Sequence, residues 1–585
     1  MRNDFSVRIG GAAGDGVSST GEILARTLSR MGIHCYGLNS YQSAIRGGHV
    51  WFQVRGGSEK LTSQGDNLDV LIALNSETAE IHSPLVSPGG VVIYDKDKVK
   101  FSPELIPKNA KALPMPLGEI SRKFDKNPIM QNTVALGATL YLLALNFDTF
   151  VTVLSDTFGK KKQTVVEANT QAAKSGYEFA KTNLEQLIVK CAPILNSKPK
   201  MLMTGNQAIA LGAVMAGCKF YAAYPMTPAS GILHWMAAHA VSCGVVVKQA
   251  EDELAVINMG IGAAHAGARS MVGTSGGGFS LMVEALGMAG MTETPIVIVD
   301  SQRAGPSTGL PTKTEQGDLN MMLGASQGDF PRIVLAPTTI EDAYYATIEA
   351  FNLAERFQCP VILASDLLLS EHIETVDELN PNVLIDRGEI VTSVPSGEQY
   401  LRFKHTESGV SPRALPGTPG TIYVAATDEH QENGIVVSDV LSGIPQYVKE
   451  RERQMEKRMK KLEVARNEMA APQLLGQQQA DLTMVCWGST FGAVFEASEM
   501  LAQKSITTNI LSFRSIWPFK AEETAQILRN ARKLMCIECN YTGQLARLIR
   551  AETGIEIKDK FLKYDGEPIY PREIVDHVMT IALKK

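Results

Sequence analysis

The sequence predicts an α/β protein made of several doubly wound parallel sheets. Along most of the chain an apolar run, a turn rich in glycine or proline and a helical pattern follow one another, as they do in such folds. Many of the apolar runs are continuous, which is typical of parallel strands covered on both faces. The 585 residues exceed what one core usually organises. We predict α/β domains at residues 1–190, 200–385 and 481–585, and a connector with a charged helix at 386–480.

The composition excludes several classes of protein. Apolar residues make up 44% and charged residues 20% of the chain, with a formal net charge of −6, which fits neither a disordered chain nor a basic nucleic-acid binder. The N-terminal residues lack a signal-peptide pattern, and no apolar run approaches the roughly 18 residues of a membrane span. The cysteines are mostly solitary, which suits reduced thiols. We expect a cytoplasmic protein that binds neither nucleic acid nor membrane.

The first segment opens with a predicted strand, the glycine-rich turn GGAAGDG at residues 10–16, and a helix with apolar Ile23, Leu24 and Leu28. This order is that of the first half of a βαβ unit. The turn and the helix N-terminus could bind a phosphate or pyrophosphate. The spacing differs from G-x-G-x-x-G and no acid for a ribose follows at the expected interval, so a tight turn without a ligand is an equal alternative.

A second glycine turn occurs in SYQSAIRGGHV. Arg46 precedes Gly47 and Gly48, which let the backbone approach a ligand closely, so an anion could bind between Ser43 and His49. A solvated arginine before an ordinary turn is the alternative.

Four unusual turns follow predicted strands of the second segment. The strands are CKFYAA, GVVVKQ, RSMVGT, PIVIVD, RIVLAP and PVILAS, and the turns are YPMTPAS, QAEDE, TSGGG and DSQRAGPSTG. Ligands of doubly wound sheets bind at the carboxyl ends of the strands. The sequence therefore predicts a site at this edge.

In YPMTPAS, Pro225 and Pro228 restrict the backbone around Thr227. A rigid turn can hold the threonine hydroxyl against a substrate or cofactor atom. Ser230 is expected to cap the following helix. A plain helix start would explain Ser230 but not the two prolines, so we favour a functional turn.

Three acids, Glu251, Asp252 and Glu253, precede an almost wholly apolar helix, which is expected to be buried. Such acids often only complement the helix dipole. A carboxylate carried into an apolar interior instead has a raised pKa and can transfer protons. The pattern alone leaves both roles open.

The loop after PIVIVD carries two cations that could bind a carboxylate, Arg303 and Lys313. Ser307 and Thr308 could add hydroxyl donors. A solvated loop without a ligand is the alternative.

The connector helix and the last cysteines receive structural interpretations. The segment QYVKERERQMEKRMKKLEVARNEM is expected on a surface with one apolar stripe, formed by Val448, Met455, Met459 and Leu462. Cys536 and Cys539 form a lone C-x-x-C without further cysteines at metal-site spacing, and we interpret them as structural thiols.

Taken together, YPMTPAS, EDELAVINMGIGAAHAGARSMVGTSGGGFSLMVE and QRAGPSTGLPTKTEQGDL resemble the α chain of the 2-oxoacid:ferredoxin oxidoreductases, most closely the type acting on 2-oxoglutarate. GGAAGDG and SAIRGGH resemble that family's γ domain, here fused ahead of the α part. The resemblance implies a γ-type domain at residues 1–190, a pyrimidine-type thiamine diphosphate-binding domain at 200–385 and a transketolase C-terminal-like domain at 481–585.

The resemblance also implies a reaction, the CoA-dependent oxidative decarboxylation of a 2-oxoacid on thiamine diphosphate, with electrons passing through an iron–sulfur cluster to ferredoxin. By motif, Thr227 faces the thiazolium and substrate, with Pro225 in the same turn. Glu253 matches the glutamate that hydrogen-bonds N1′ of the aminopyrimidine, and Glu251 is the second choice.

Substrate and CoA contacts are implied in the same way. Arg303 matches the arginine that binds the substrate carboxylate, and Lys313 competes with it or helps with a second carboxylate. The segment matched to the family's CoA region contains Ser43, Arg46, Gly47 and Gly48.

The motif for the cofactor's diphosphate and Mg²⁺ is not convincingly present, because the G-D-G at residues 14–16 lies in the wrong segment. Cysteines for a 4Fe–4S cluster are not found at recognisable spacing either. The family places both on a separate β chain. The resemblance therefore implies half of a cofactor site here, a β subunit that supplies the rest, and a dimer of αβ units.

Alternative functions stay open. The substrate could be pyruvate or another 2-oxoacid, because 2-oxoglutarate needs a further contact from Lys313 or the β chain. A nicotinamide-dependent dehydrogenase would bind NAD at residues 10–16, and a non-catalytic scaffold would tolerate loss of Glu253. We favour 2-oxoglutarate and succinyl-CoA formation, or its reverse.

Overall fold

The computed structural model describes residues 4–43, 47–159, 163–187, 198–437 and 444–583. The chain divides into two compact units. Unit 1 consists of Met1–Thr204, Glu371–Leu379 and Tyr570–Glu573, and unit 2 of Gly205–Ser370, Asn380–Ile569 and Ile574–Lys585. No helix in the described part combines the length and apolar character needed to cross a membrane.

Strands and helices alternate over most of the described residues. The strands are β1 (Asp4–Ala12), β2 (His34–Ser40), β3 (His49–Gly57), β4 (Val70–Ala73), β5 (Val91–Asp95), β6 (Lys111–Met115), β7 (Met201–Thr204), β8 (Phe220–Ala223), β9 (Val246–Gln249), β10 (Ser270–Thr274), β11 (Ile296–Gln302), β12 (Ile333–Leu335), β13 (Pro360–Asp366), β14 (Ile373–Val376), β15 (Ile390–Val391), β16 (Arg413–Ala414), β17 (Gln473–Gly476), β18 (Leu482–Trp487), β19 (Thr508–Phe513), β20 (Ser515–Trp517), β21 (Leu534–Glu538) and β22 (Asp559–Leu562). The α-helices are α1 (Val17–Arg30), α2 (Ser76–His82), α3 (Leu117–Arg122), α4 (Met130–Leu142), α5 (Phe147–Phe158), α6 (Gln163–Asn183), α7 (Gly205–Met215), α8 (Ser230–Cys243), α9 (Glu253–His265), α10 (Gly276–Met291), α11 (Leu319–Gly324), α12 (Ile340–Phe357), α13 (Leu367–Glu371), α14 (Pro445–Glu468), α15 (Thr490–Ala502), α16 (Ala521–Asn530), α17 (Gln544–Thr553) and α18 (Pro571–Leu583).

Unit 1 contains an eight-stranded sheet in the order β6-β5-β4-β1-β3-β2-β14-β7. β1, β4 and β5 pair in parallel, as the continuous apolar runs of β4 and β5 predicted. The expected first strand and helix are present as β1 and α1. A βαβ unit would place β2 directly beside β1. In the structure β3 lies between them and is antiparallel to both. The link from Ser40 to His49 is too short for a crossover, so the chain returns antiparallel.

The described residues of unit 2 form three sheets, of which the smallest consists of β15 and β16. The seven-stranded sheet has the order β20-β12-β13-β11-β10-β8-β9, and the five-stranded sheet the order β17-β19-β18-β21-β22. The six strands predicted for the second segment are β8 to β13, and they pair in parallel. In the C-terminal segment the apolar sequences LTMVCWG, TTNILSF and KLMCIEC predict strands, and these form β18, β19 and β21. β20 also comes from the C-terminal segment but joins the larger sheet, antiparallel to β12.

Helix α14 buries only part of the predicted apolar stripe: Leu462 is buried and Met455 and Met459 are half-buried, but Val448 is 48% exposed. The charged residues Lys457 and Lys461 are buried as well. Lys457 Nζ lies 2.5 Å from Oε1 of the fully buried Glu293, and Lys461 pairs with its other carboxylate oxygen. The helix is held by ion pairs that its apolar periodicity could not reveal, because the partner carboxylate lies far away in the sequence.

Burial and mutual attraction together determine the charge states of the cluster formed by Glu293, Lys457 and Lys461. Burial alone would raise the pKa of Glu293, but attraction to Lys457 and Lys461 holds it below its ordinary value. Burial lowers the pKa of Lys457 to about 7 against the attraction of Glu293. Each charge is therefore tolerated in the interior only while its partners remain.

We predict that Glu293→Gln destabilises unit 2 by about 3–5 kcal/mol, because it leaves two buried ammonium groups without a carboxylate. Urea unfolding followed by circular dichroism measures the loss. Glu556→Gln, which removes the exposed partner of Arg550, is the control and should cost less than about 1 kcal/mol. Equal losses in the two variants would contradict the role given to Glu293.

Candidate active site

The turns singled out in the sequence lie at one edge of the seven-stranded sheet. β9, β8, β10 and β11 are adjacent and parallel, so their carboxyl ends face the same way. Ligands bind at this edge in doubly wound sheets. Side chains that are distant in the sequence are consequently brought together there.

Glu253 is the first residue of α9 and is only 3% exposed. The neighbouring acids have other positions: Asp252 accepts a hydrogen bond from the N–H of Ala255 (2.8 Å) and so caps α9, and Glu251 is exposed. Thr274 Oγ1, at the end of β10, lies 3.4 Å from Glu253 Oε1. Glu253 is thus a buried carboxylate that is not used as a cap, the arrangement suited to proton transfer.

The close approach of α10 to this carboxylate requires glycine. A Cβ on Gly278 would lie 2.0 Å from Thr274 Oγ1 and 2.4 Å from Glu253 Oε1. Any larger residue at this position would displace the carboxylate or the threonine.

Thr227 and Arg303 are in contact. Arg303 Nη1 donates a hydrogen bond to the carbonyl oxygen of Thr227 (2.8 Å), and Asn206 Nδ2 donates to the carbonyl of Pro228 (2.9 Å). The hydroxyl of Thr227 makes no hydrogen bond to another described residue, and Pro225 is exposed in the same turn. The turn is fixed through its backbone, which leaves the threonine side chain available.

The prediction that Ser230 caps α8 is wrong. α8 begins at Ser230, its N-cap is Ala229, and no side chain caps it. Ala229 already has helical backbone angles, with φ −69° and ψ −13°. Ser230 therefore lies one position too late to serve as the cap.

Helix α9 is only half buried, although its apolar sequence predicted full burial. Val256 and Ile257 are fully buried, whereas Leu254 is 50% and Met259 38% exposed. A Cβ on Gly262 would meet nothing within 4 Å. One apolar face of α9 packs on the sheet and the other is open.

The loop after β11 contains three more residues that were predicted to bind a ligand, namely Lys313, Ser307 and Thr308. The ammonium group of Lys313 forms an ion pair with Glu567 and is held by a carboxylate of the chain itself. Ser307 and Thr308 are exposed. The structure therefore brings Arg303 into contact with the Thr227 turn, pairs Lys313 with Glu567 and leaves Ser307 and Thr308 exposed.

In unit 1 the two glycine turns lie against each other. The N–H of Ala13 donates to the carbonyl of Gly48 (3.2 Å), and the N–H of Gly47 donates to that of Ala13 (3.4 Å). Gly16, with φ 78°, is the N-cap of α1, which has no side-chain cap. Ser43 is exposed. Arg46 lies outside the described residues.

Three family models match the chain. Residues 6–179 match pyruvate ferredoxin/flavodoxin oxidoreductase, residues 211–450 match the thiamine diphosphate-binding region of pyruvate flavodoxin/ferredoxin oxidoreductase, and residues 473–553 match the transketolase C-terminal domain. The 2-oxoacid:ferredoxin oxidoreductase subunit alpha of a Sulfolobus species is 32% identical, over 98% of this chain and 96% of that protein. The chain belongs to the 2-oxoacid:ferredoxin oxidoreductase family. The resemblance read from the motifs is confirmed, as is the fold class with its pyrimidine-type and transketolase C-terminal-like domains.

Relatives within this family have been linked to 2-oxoglutarate. The 2-oxoglutarate synthase subunit KorA of Archaeoglobus fulgidus is 34% identical, over 64% of this chain and 98% of that protein. The structure of 2-oxoglutarate:ferredoxin oxidoreductase from Magnetococcus marinus, with 2-oxoglutarate, coenzyme A and succinyl-CoA bound, superimposes with a TM-score of 0.92 at 35% identity, covering 99% of this chain and 100% of that one.

Sequence reasoning about this family member missed two acids, the buried Asp300 and the half-buried Asp318, and Asp318 attracts Arg303. Asp300, near the end of β11, is fully buried, and neither carboxylate oxygen has a partner among the described residues. Oδ2 of Asp318 is also buried and unpaired, beside Gly276 at the start of α10. Burial and the nearby Asp318 raise the pKa of Asp300 well above its ordinary value. An aspartate ending the apolar run PIVIVD was the available signal.

Two opposing effects act on the pKa of Asp318. Burial raises its pKa to about 6, although the attraction of Arg303 opposes the rise. Glu315 lies nearby, and burial followed by repulsion from Asp318 raises its pKa to about 7. The charge facing Arg303 therefore changes near neutral pH.

We predict that Asp318→Asn becomes increasingly stable relative to the unmodified chain as the pH rises from 4 to 7. The pKa of Asp318 is about 6 when folded and 3.8 ordinarily, so the unfolded chain loses this proton first and stability falls through this range. The difference in unfolding free energy between variant and parent should grow by up to about 3 kcal/mol. Urea unfolding at several pH values measures it. The exposed Glu284→Gln should give no such growth, and a pH-independent difference for Asp318→Asn would refute the assignment.

Proposed function

We propose that this chain is the α subunit of an enzyme that converts 2-oxoglutarate and CoA to succinyl-CoA and CO₂, in either direction, with ferredoxin as electron partner. The observation that carries the proposal is the buried Glu253 beside Thr274, at the sheet edge where Arg303 contacts the Thr227 turn. Membership of the 2-oxoacid:ferredoxin oxidoreductase family supplies the class of reaction.

The residues at this edge fit thiamine diphosphate. Glu253 has one oxygen near Thr274, and its other oxygen has no hydrogen bond to a described residue, so that oxygen is free to hold N1′ of the aminopyrimidine. When bound, the cofactor supplies the carbon nucleophile for the 2-oxoacid. Glu253 holds or releases a proton at N1′. Thr227, with Pro225 beside it, offers its hydroxyl to the thiazolium and substrate.

Arg303 is proposed to bind the carboxylate next to the reacting carbonyl. Burial lowers its pKa, whereas Asp318 and Glu253 oppose that change and favour the charged form. Its contact with Thr227 leaves further N–H groups for a substrate oxygen. A second carboxylate, as in 2-oxoglutarate, would need either Lys313 released from Glu567 or a group of another chain.

A separate β subunit is proposed to complete the site and to carry the diphosphate-bound Mg²⁺ and a 4Fe–4S cluster, with two αβ units forming the assembly. The open apolar face of α9 supports a partner chain, because Leu254 and Met259 are exposed close in sequence to Glu253. The edge strand β9 also exposes Val246 at 62%.

CoA is proposed to bind in unit 1 along Ser43, Gly47 and Gly48, with Arg46 of the same segment. Support comes from the pairing of this segment with the GGAAGDG turn and from the CoA bound in the Magnetococcus marinus enzyme. A glycine backbone and an uncapped helix N-terminus suit an anionic ligand.

We expect the chain purified from its own cells to bring with it a cluster-bearing companion and thiamine diphosphate, and to reduce a dye with 2-oxoglutarate only when CoA is present. Mass spectrometry, iron and thiamine assays and kinetics measure this. A higher kcat/KM with pyruvate than with 2-oxoglutarate would identify pyruvate as the substrate and leave the proposed class of reaction unchanged. A lone chain that binds NAD and lacks 2-oxoacid activity would refute the proposal.

We predict that Glu253→Gln lowers kcat at least about 100-fold, since the amide cannot exchange a proton with N1′. Native mass spectrometry and extracted thiamine diphosphate should show the complex assembled and loaded. Glu251→Gln, at an exposed position in the same turn, is the matched control and should keep most of the activity. Loss of kcat in the Glu251 variant instead would overturn the assignment.

A further inference from the structure

A cavity lies at one edge of the five-stranded sheet of unit 2. Its volume is about 540 Å³, which is within the range of small-molecule sites. β22 is the last strand of this sheet and pairs, among the described strands, only with the parallel β21. Residues at and after the carboxyl ends of these two strands line the cavity, together with side chains of α17 and α18.

The charged groups of this cavity all have the same sign. Lys560 of β22 and Arg547 of α17 line it, and none of its described lining residues is an aspartate or glutamate. Neither cation has an ion-pair partner among the residues that the structure describes. A cleft lined by charges of one sign concentrates ions of the opposite sign, so the cavity attracts anions although the chain as a whole has a net charge of −6.

A glycine brings the two cations to the same wall. A Cβ on Gly543, which has φ 64°, would lie 3.3 Å from Cδ of Lys560, so the lysine chain packs on the start of α17. Arg547 follows Gly543 by about one helical turn and lies on the same helix face. The first N–H groups of α17 are already used, because Glu538 accepts two hydrogen bonds there (2.9 and 3.1 Å) and Asn540 two more (2.7 and 3.3 Å). An anion would therefore be held by the two side chains.

Two exposed tyrosines line the same cavity. Tyr541 is 69% and Tyr564 56% exposed. Their rings meet edge to face, with centroids 5.0 Å apart and planes at 83°. Tyrosine rings exposed in this way are typical of binding surfaces, because each offers a large apolar area and keeps a hydrated hydroxyl. A flat ring of a ligand can pack against either of them.

Hydrogen bonds fix the two turns that carry these rings. In the turn after β21, Cys539 accepts from the N–H of Gln316 (2.6 Å) and donates its own N–H to Oε1 of the same residue (3.1 Å). In the turn after β22, the carbonyl of Gly566 accepts from the N–H of Thr314 (3.1 Å). The cavity is thus formed before a ligand arrives, which lowers the entropic cost of binding.

We propose that this cavity binds a nucleoside phosphate other than CoA, with the base packed on Tyr541 and Tyr564 and the phosphate held by Lys560 and Arg547. Two positive charges match a phosphate, whose charge near pH 7 is about −1.5 to −2. Inorganic phosphate alone would leave the paired rings without a role, whereas a base stacks on them. The site uses none of the residues assigned to CoA or to the thiamine cofactor.

Calorimetric titration of the complete enzyme complex with AMP, adenosine and inorganic phosphate tests the class of ligand. AMP should bind at least about 10-fold more tightly than either fragment, because only AMP occupies both the rings and the cations. Phosphate that binds as tightly as AMP would leave an unspecific anion site and overturn the proposal. AMP that does not bind at about 1 mM would overturn it as well.

Substitutions in the cavity test its location. Lys560→Gln should weaken AMP binding about 10-fold, through loss of a charge-assisted hydrogen bond, and leave adenosine binding unchanged. Tyr564→Ala should weaken the binding of both AMP and adenosine at least about 5-fold. Lys558→Gln, at an exposed position two residues before Lys560, is the matched control and should change neither. Circular dichroism checks that each variant is folded. AMP binding that withstands both cavity substitutions would place the nucleotide elsewhere and contradict the inference.

The KM for CoA separates a free nucleotide from the nucleotide portion of CoA, which has the same chemistry. In Lys560→Gln the KM for CoA should stay at the parent value while AMP binding weakens. A KM that rises in parallel with the Kd of AMP would show that the cavity serves CoA, and would overturn the proposal. The AMP titrations need no turnover, so their outcome is independent of the proposed function: the complex could lack 2-oxoacid activity and still bind AMP here.

Discussion

The parallel register of three neighbouring strands determines the geometry of the candidate active site. Pairing places Ala223 of β8 beside Gly273 of β10, and Thr274 of β10 beside Asp300 of β11. The turns that follow therefore start from one line. This alignment allows Arg303 to contact Thr227, which precedes it by 76 positions, and Thr274 to approach Glu253. A shift of one residue in any of these strands would direct its last side chain to the opposite face.

Unit 2 buries charged groups in two different ways. Glu293 is fully buried, yet two lysines compensate it, and that cluster attaches the connector helix. Asp300 is equally buried but neither of its oxygens has a partner among the described residues, and burial together with repulsion from Asp318 raises its pKa well above its ordinary value. The first arrangement is structural because its charges cancel locally. The second lies near Asp318, whose carboxylate in turn attracts Arg303.

The sequence predicted those features that depend on local patterns. Continuous apolar runs identified β8 to β13, and the unusual turns after four of these strands identified the edge that holds Glu253 and Arg303. It could not predict features made by distant residues. Three examples are the antiparallel insertion of β3, the burial of Lys457 against Glu293, and the contact of His49 with His82 in unit 1. In each case the residues come close together only in the folded chain.

The cap of α8 illustrates a different limit. Ser230 follows a proline turn, the usual place for a capping side chain, but the backbone becomes helical one residue earlier, at Ala229. Helix ends are decided by the backbone angles of single residues, which composition does not specify. Predicting that a helix was present succeeded, whereas predicting its first residue did not.

The open face of α9 connects the fold to the proposed assembly. An apolar helix at the surface is unfavourable unless something covers it, and Leu254 adjoins the buried Glu253. A partner on that face would also exclude water from Thr227 and Arg303. Because electrostatic interactions strengthen as water is removed, the attraction of Arg303 for a carboxylate would increase in the assembled enzyme. The proposed β subunit would therefore change the chemistry of residues that this chain already supplies, as well as completing the site around them.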